Sequence, residues 1–555
     1  MVRAFNASAL AAIVLALVLA VMERMQFVHD SIWPFLQKAQ NPGLYSLSHG
    51  ISHSVVPNAS PVFGWLGNWQ VGLATPWFTV PAYFLTTALA GYLTWCLLRD
   101  VAKVDNRAER LAILFALGFA EAKFVEFAHA GWITQHNFTF TMIAGALRVG
   151  FLYGLLTGRF RMAVALLIGI NLLTFKVGWP LLGFLVLVLL VERRRDPLVW
   201  LGLAVSMISP LMSAIQTQVP LAPGEALAVF QDLRGQHGAE DNPFANVLPA
   251  IGLFFVAMGM GWVLAGQMLD KLGAQRVRII ILATLGVFVA GGSYIQFNGF
   301  GFPVAAAVLL SPARAVEAAA LLVYLLMLVW VVRHPSLLNV EKAALFAALL
   351  VLKVQPGGKL MVAALGLAAA VALGWVIRHR LGVVQRIMGL GNAVPLALLL
   401  ALPCLAVAGT LYASPTGGLR VRHDPELGLV PAATPRDALP MLRAIRSEPG
   451  DRLIVFDRGD NDANLGTNWN YMARKSGLYY DLYYLRRSAD IAEQKRRDAI
   501  ARSVLGGLAS GAVSPAGAQG LRELGATVVV SREKLGALSG WKTVNDYGAW
   551  IEVRP

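Results

Sequence analysis

Residues 138–195 carry the pattern that decides the fold, FTFTMIAGALRVGFLYGLLTGRFRMAVALLIGINLLTFKVGWPLLGFLVLVLLVERRR. Three apolar runs, 138–157, 161–175 and 178–191, follow one another, and each is bounded by a short connector that holds at least one cation. An α-helix needs about 20 mainly apolar residues to cross the hydrocarbon core of a bilayer. The alternation of apolar runs and basic connectors therefore predicts consecutive membrane-spanning helices.

The composition of the whole chain agrees with this interpretation. Of its 555 residues 57% are hydrophobic and 14% are charged, and the mean hydropathy is +0.59. Soluble domains carry about 25% charged residues, so a soluble enzyme of this length is excluded. Dominant apolar residues also exclude a disordered or collagenous chain, and only 2 cysteines exclude a disulfide scaffold. A polytopic α-helical membrane protein remains.

Thirteen candidate spans follow when the same criterion is applied along the chain. They lie near residues 5–22, 76–98, 108–122, 138–157, 161–175, 178–191, 197–214, 247–266, 278–295, 315–332, 341–353, 359–377 and 393–412. Because some of these runs are short, the count is open by one or two. The first run is followed by MERMQFVHD rather than by a small-residue cleavage site, so we expect a retained anchor and not a signal peptide.

The connectors predict the orientation. With the N-terminus inside, 18 of the 27 Lys and Arg residues of positions 1–412 fall on the inner side and 8 on the outer side, while Arg148 lies within a span. This is the positive-inside bias, and it predicts a plasma (inner) membrane protein with a cytoplasmic N-terminus. The net charge of +15 is then explained by cations in the connectors predicted to be cytoplasmic. Since no basic stripe lies on a soluble face, a nucleic-acid partner is not expected.

Two domains are expected. Residues 1–412 form a transmembrane domain with long outer loops at 23–75, 122–137 and 215–246. Residues 413–555 form a soluble extracytoplasmic domain of α/β type, because strand-like segments such as RLIVF and ATVVVS alternate with the helix-like SADIAEQKRRDAIARSVLGGL.

The outer face holds the ionisable residues that could carry chemistry. Acids and imidazoles in loops can supply a general base or ligands, and cations at outer span ends suit a lipid phosphate. These residues are Glu23, His29, Asp30, Glu126, His129, Arg234 and His237 in the loops, and Arg314, Lys353 and Lys359 at span ends. Their simpler interpretations are solvated loop charges, snorkelling cations and a local pair of Arg314 with Glu317. We expect no metal site from an HxxxH, HExxH or CxxC spacing.

This arrangement resembles the GT-C class of membrane glycosyltransferases, as a distant, bacterial-type member. The resemblance rests on Asp30 in FVHDSIWPF after the first span, the following NPGLY, Glu126 in the second loop, Arg314 in PARA and the loop FQDLRGQHGAEDNP. It covers nearly the whole chain in layout, including the terminal domain. Members often carry a tight acidic pair after the first span, whereas Ser31 follows Asp30 here, so metal dependence is open. The tail also lacks the WWD motif of asparagine-directed enzymes.

The resemblance implies inverting transfer of a hexosyl or pentosyl group from a polyprenyl-phosphate donor to a glycan, lipid or protein acceptor in the cell envelope. Asp30 would be the general base. Donor phosphate would be bound by the residues Arg314, Arg234, Lys353, Lys359 and His237. Acceptor positioning, or coordination of a divalent ion such as Mg²⁺ or Mn²⁺ if one binds, would fall to Glu126, His129, Glu23 and His29.

Other functions stay open at this point. A secondary transporter or a lipid or glycan flippase predicts internal repeats and charged residues within the membrane; no repeat is evident, but Arg148 and Asn171 lie within spans. A glycan polymerase or ligase that uses lipid pyrophosphate would favour a large loop between late spans over a terminal domain. A scaffold for envelope assembly would use the tail as an interaction module.

Overall fold

The computed structural model describes a large part of the chain. Described residues are 7–22, 37–38, 41–53, 76–119, 122–125, 128–130, 140–216, 248–296, 313–337, short pieces between 341 and 375, 421–431, 434–456, Trp469, 472–478, 488–509, 513–531, 542–547 and 551–554.

Apolar helices make up the first part of the molecule. In chain order they are α1 (Ala7–Met22), the short α2 (His49–Ser52), α3 (Pro76–Asp100), α4 (Arg107–Phe119), α5 (Phe140–Leu156), α6 (Phe160–Leu173), α7 (Phe175–Val191), α8 (Pro197–Gln216), α9 (Leu248–Met268), α10 (Lys271–Gln296) and α11 (Ala313–Arg333). Each of the first ten predicted spans coincides with one of these helices. The predicted span at 341–353 is described only in short helical pieces, the one at 359–377 lies largely outside the described residues, and the one at 393–412 lies wholly outside them.

Within the described part of the chain, three helical stretches are long and apolar enough to cross a membrane, namely Pro81–Asp100, Lys271–Ala290 and Ala315–Arg333. Shorter apolar helices accompany them at Phe140–Leu156, Phe160–Leu173, Val177–Val191, Pro197–Met212 and Phe254–Met268. This architecture is compatible with a helical membrane protein. Thirteen spans stay a prediction.

The core of the helical part centres on α11 and α5, whose residues are buried along almost their whole length. Small residues let neighbouring helices approach closely. A Cβ added at Gly202 of α8 would lie 2.2 Å from Val164 of α6, and one at Gly261 of α9 would lie 2.4 Å from Val323 of α11. Such contacts between small and branched residues are typical of helix packing in membranes, where dispersion rather than hydrophobic exclusion holds helices together.

Successive helices run in alternating directions, and the basic connectors meet at one end, which we call the basic end. There the side chain of Arg333, the last residue of α11, donates to the carbonyl of Ala102 just after α3 (2.9 Å). Arg276, near the start of α10, donates to the carbonyl of Leu156 at the end of α5 (2.8 Å) and to Glu192 just after α7 (2.6 Å). The connectors predicted to be cytoplasmic thus share one end of the helices.

The segment 122–137 is predicted as an outer loop that follows a span ending at 122. In the structure α4 ends at Phe119, and the strands β1 (Ala122–Val125) and β2 (Ala128–Ala130) form an antiparallel hairpin within this segment. Pairing within the hairpin satisfies backbone groups that would otherwise lack partners where the segment packs on helices. β1 contacts α9, and β2 contacts α11.

The C-terminal part is an α/β unit. Its elements are β3 (Val421–Asp424), β4 (Gly428–Pro431), α12 (Leu439–Ser447), β5 (Leu453–Phe456), β6 (Ser476–Gly477), α13 (Ser488–Ala509), α14 (Pro515–Glu523), β7 (Ala526–Ser531), β8 (Lys542–Asp546) and β9 (Ile551–Arg554). A five-stranded sheet has the order β6-β5-β7-β9-β8, in which β5 is parallel to β6 and β7 and the other neighbours are antiparallel. RLIVF and ATVVVS form its central strands, as their sequences predict.

Candidate functional site

The C-terminal unit docks on the end of the helices opposite the basic end. Tyr83 of α3 and Met142 of α5 lie near the first residues of their helices, and both join a buried apolar cluster with Leu427, Trp469 and other residues of the tail. The last residues of the same two helices lie at the basic end, where the Tyr153 hydroxyl donates to Asp100 (2.7 Å). The tail and the basic connectors are therefore separated by the length of α3 and α5.

The described part of the first loop, residues 41–53, is held on the tail by polar contacts to Asp451. The carboxylate of Asp451 accepts hydrogen bonds from the Ser46 hydroxyl (3.0 Å) and from the backbone amide of Leu47 (3.2 Å). The same carboxylate also accepts from the hydroxyl of Ser476 within the tail (2.6 Å). A second contact comes from Arg497 of α13, which donates to the carbonyl of Leu47 (3.2 Å). The loop and the tail thus form one surface at this end of the helices.

Eight of the ten residues predicted for catalysis or binding lie outside the described residues. Those that lie outside the described residues are Asp30, Glu23, His29, Glu126, Arg234, His237, Lys353 and Lys359. The structure describes the backbone of the other two, His129 and Arg314.

His129 and Arg314 belong to elements that touch. His129 lies in β2, and β2 packs against α11, the helix in which Arg314 is the second residue. The hairpin follows α4 and precedes α5, whose first residues approach the tail. The second loop and the start of α11 therefore occupy one neighbourhood at the tail side of the helices.

A buried ion pair crosses the helical core. Arg148 of α5 donates to Glu317 of α11 over 2.5 Å, and each side chain is only 1% exposed. Glu317 is also the acid predicted as a local partner for Arg314, and in the structure it pairs with Arg148, 169 residues away in the sequence; the side chain of Arg314 lies outside the described part of the chain. An ion pair within a membrane domain is costly to bury and marks either function or a fixed helix pairing.

Asn171, the other polar residue noted within a predicted span, makes hydrogen bonds between helices. The side-chain nitrogen of Asn171 donates to the backbone carbonyl of Ser206 in α8 (3.0 Å), and the backbone carbonyl of Asn171 accepts from the Ser209 hydroxyl (2.8 Å). These bonds join α6 to α8. Asn171 therefore ties α6 to α8 through its side-chain nitrogen and its backbone oxygen, while its Oδ1 is buried without a hydrogen-bond partner among the described residues.

Sequence reasoning missed one cluster, formed by His49, His53 and Asp490. His49 is the first residue of α2 in the first loop, His53 directly follows this helix, and Asp490 lies in the first turn of α13. Their ligand atoms lie within 4.8 Å of one another. The signal in the sequence is HGISH, in which the two imidazoles are four residues apart and so share a helix face. The acid is distant in sequence, which hid the set.

Burial lowers the pKa of His49, and the neighbouring His53 ring lowers it further, while a hydrogen bond to the carbonyl of Asp490 acts in the opposite direction. The imidazole of His49 is therefore mainly neutral at neutral pH. A neutral imidazole has a lone pair that can bind a metal ion.

Comparisons with known proteins do not assign the chain to a family. No family model matches it. A search of curated proteins gave no match either.

Proposed function

We propose that this protein is a GT-C-type membrane glycosyltransferase. It would move a hexosyl or pentosyl group from a polyprenyl-phosphate donor to a glycan, lipid or protein acceptor of the bacterial cell envelope. The observation that carries the proposal is the docking of the tail on the first loop, at the end of the helices away from the basic connectors. In a protein with the basic end in the cytoplasm, this surface faces the extracytoplasmic side.

Docking matters chemically because sugar transfer needs a site that restricts water and holds the acceptor near the donor. A tail that covers the first loop supplies such a cover. The hairpin that contains His129 and the start of α11 lie on the same side of the helices as the tail, which supports the proposal that donor and acceptor meet there.

The proposed reaction is a single inverting displacement. Asp30 takes the proton from the acceptor hydroxyl, the acceptor oxygen bonds to the anomeric carbon, and the bond from that carbon to the phosphate oxygen breaks. Charge grows on the leaving polyprenyl phosphate. The cations Arg314, Arg234, Lys353 and Lys359, together with His237, stabilise that charge.

Acceptor positioning is proposed for Glu126, His129, Glu23 and His29. Carboxylate and imidazole ligands fit a divalent ion such as Mg²⁺ or Mn²⁺ if the enzyme uses one, and such an ion would supply further charge neutralisation at the phosphate. No step of the proposed reaction depends on it.

The test is sugar transfer by purified protein in nanodiscs, with a radiolabelled polyprenyl-phosphate sugar and an envelope extract as acceptor. Asp30→Asn keeps the size of the side chain and removes the base, so transfer should fall by about 100-fold or more. Asp196→Asn is the matched control, because Asp196 lies in a connector at the basic end, paired with Arg161 (2.9 Å). Transfer at a near-normal rate by folded Asp30→Asn would remove Asp30 from the base role.

A secondary transporter is the second candidate, favoured by the buried Arg148–Glu317 pair. Ionisable pairs within a membrane domain often couple movement of a solute to protons or ions. Transport predicts that Glu317→Gln abolishes solute movement in proteoliposomes while sugar transfer is absent in the wild type. Transfer by the wild-type protein, with the pair needed only for stability, would exclude this alternative.

A further inference from the structure

The cluster of His49, His53 and Asp490 lies at the junction between the first loop and the tail. His49 begins α2 and His53 directly follows it, and the centroids of their imidazole rings are 4.3 Å apart. The Oδ1 atom of Asp490 lies 3.7 Å from Nε2 of His49. Three potential ligands from two distant parts of the chain thus converge, with ligand atoms within 4.8 Å of one another.

We propose that His49, His53 and Asp490 bind a divalent transition-metal ion, Zn²⁺ foremost, which fastens the first loop to the tail. Two imidazoles and one carboxylate suit zinc, since imidazole is a borderline ligand and Zn²⁺ accepts a carboxylate oxygen at similar distance. Three protein ligands leave a fourth position for water. The site uses none of the residues proposed for sugar transfer.

The hydrogen bonds around the cluster fit ligation. Nδ1 of His53 lies 3.2 Å from the carbonyl oxygen of His49, which can only accept, so this nitrogen carries the proton and Nε2 keeps its lone pair. Metal-binding histidines commonly donate their second ring nitrogen to a backbone carbonyl in this way. Nε2 of His49 lies 3.0 Å from the carbonyl of Asp490. A metal ion would bind Nδ1 of His49, or replace this hydrogen bond at Nε2.

The charges near the cluster permit a cation. Arg497 is the neighbouring positive charge that acts on His49, and its guanidinium is paired with Glu493 over 2.8 Å. Asp490 adds one negative charge. Since the loop and the tail each supply part of the ligand set, the ion would bind tightly only when they are docked.

The experiment measures Co²⁺ and Zn²⁺ binding to the full-length protein in detergent after chelation, by visible absorption and by calorimetry. We expect one ion per chain in the wild type. His49→Ala, His53→Ala and Asp490→Asn should each weaken binding at least about tenfold. His334→Ala is the matched control, because His334 follows α11 at the basic end and contacts Ser336, so binding should not change.

A cysteine variant distinguishes ligation from indirect effects on folding. His53→Cys should keep one Co²⁺ and add a sulfur-to-cobalt charge-transfer band, because thiolate is a strong ligand. The wild type gives the background, and its described cysteine, Cys96, is buried in α3.

Hydrogen exchange of residues 41–53, measured on each variant without metal, reports whether the loop still docks. Zn²⁺ should slow exchange in this loop in the wild type and have no effect in His53→Ala. Failure of the wild type to bind either ion would overturn the proposal, as would equal affinity in all variants; the histidines would then serve docking alone. Either result leaves the sugar-transfer proposal untouched, since that is measured separately.

Discussion

The ion pair between Arg148 and Glu317 gives the sharpest prediction about the helical part. Each side chain is 1% exposed, and their atoms are 2.5 Å apart. Removing one member leaves the other charge buried, which costs about 3–5 kcal/mol in known proteins. Arg148→Met and Glu317→Gln should therefore each lower the free energy of unfolding by about 3 kcal/mol.

The double variant should cost much less than the two single variants together. It removes both charges of the pair, so neither charge is left buried without its opposite member, and a coupling energy of about 2 kcal/mol or more is expected. Polar contacts between helices of membrane proteins are often weaker, at about 0.6 kcal/mol on average. A measured coupling energy near that value would show that burial does not strengthen this pair. The assay is SDS-induced unfolding in mixed micelles, followed by tryptophan fluorescence.

Arg161 and Asp196 provide the matched control pair, because they form an ion pair of 2.9 Å at the basic end with the Arg161 side chain 69% exposed. Breaking that pair should change stability little, since water and salt screen it. Single variants of the buried pair with costs below about 1 kcal/mol, and with additive effects, would refute the argument from burial.

Three further predictions concern packing, pH and docking. Gly178→Ala should destabilise the helices by about 1–3 kcal/mol, because its Cβ would lie 1.8 Å from Oδ1 of Asn171; Gly183→Ala, whose Cβ meets no described atom within 4 Å, should be tolerated in the same thermal assay. An ion pair with an arginine of α12 lowers the pKa of Asp424 to about 2, so the ionised carboxylate stabilises the tail above pH 4 and this stabilisation is lost as the pH falls towards 2. Acid unfolding followed by circular dichroism should depend less on pH between 4 and 2 in Asp424→Asn than in the wild type, and an unchanged curve would refute the assignment. Asp451→Ala should speed hydrogen exchange in the loop at 41–53, whereas unchanged protection would show that the carboxylate does not hold the loop.

The helices could be predicted from the sequence because apolar runs of near-spanning length report burial in lipid without knowledge of any partner. The cations of the connectors, such as Arg333, predict where these helices end. The hairpin at Ala122–Ala130 was missed, since its pairing depends on the helices against which it packs. A strand of three residues leaves little periodicity to detect.

The candidate sites divide in the same way. Arg148 stands out in the sequence as a lone cation in an apolar helix, but its partner Glu317 is set by how α5 packs on α11. His49 and His53 share a visible helical spacing, whereas Asp490 joins them from 441 residues further along the chain. Local spacing predicts which residues share a face. Contacts between distant elements depend on tertiary packing, which spacing does not encode.

The central claim is transfer of a sugar from a polyprenyl-phosphate donor, and the most direct measurement follows donor and product together. Wild-type protein in nanodiscs is incubated with a labelled α- or β-linked donor and envelope acceptor. Polyprenyl phosphate is quantified by chromatography, and the anomeric configuration of the glycosylated product is determined by NMR. We predict equal amounts of polyprenyl phosphate and product, with the configuration inverted. An untouched donor, or a product with retained configuration, would contradict the proposed displacement.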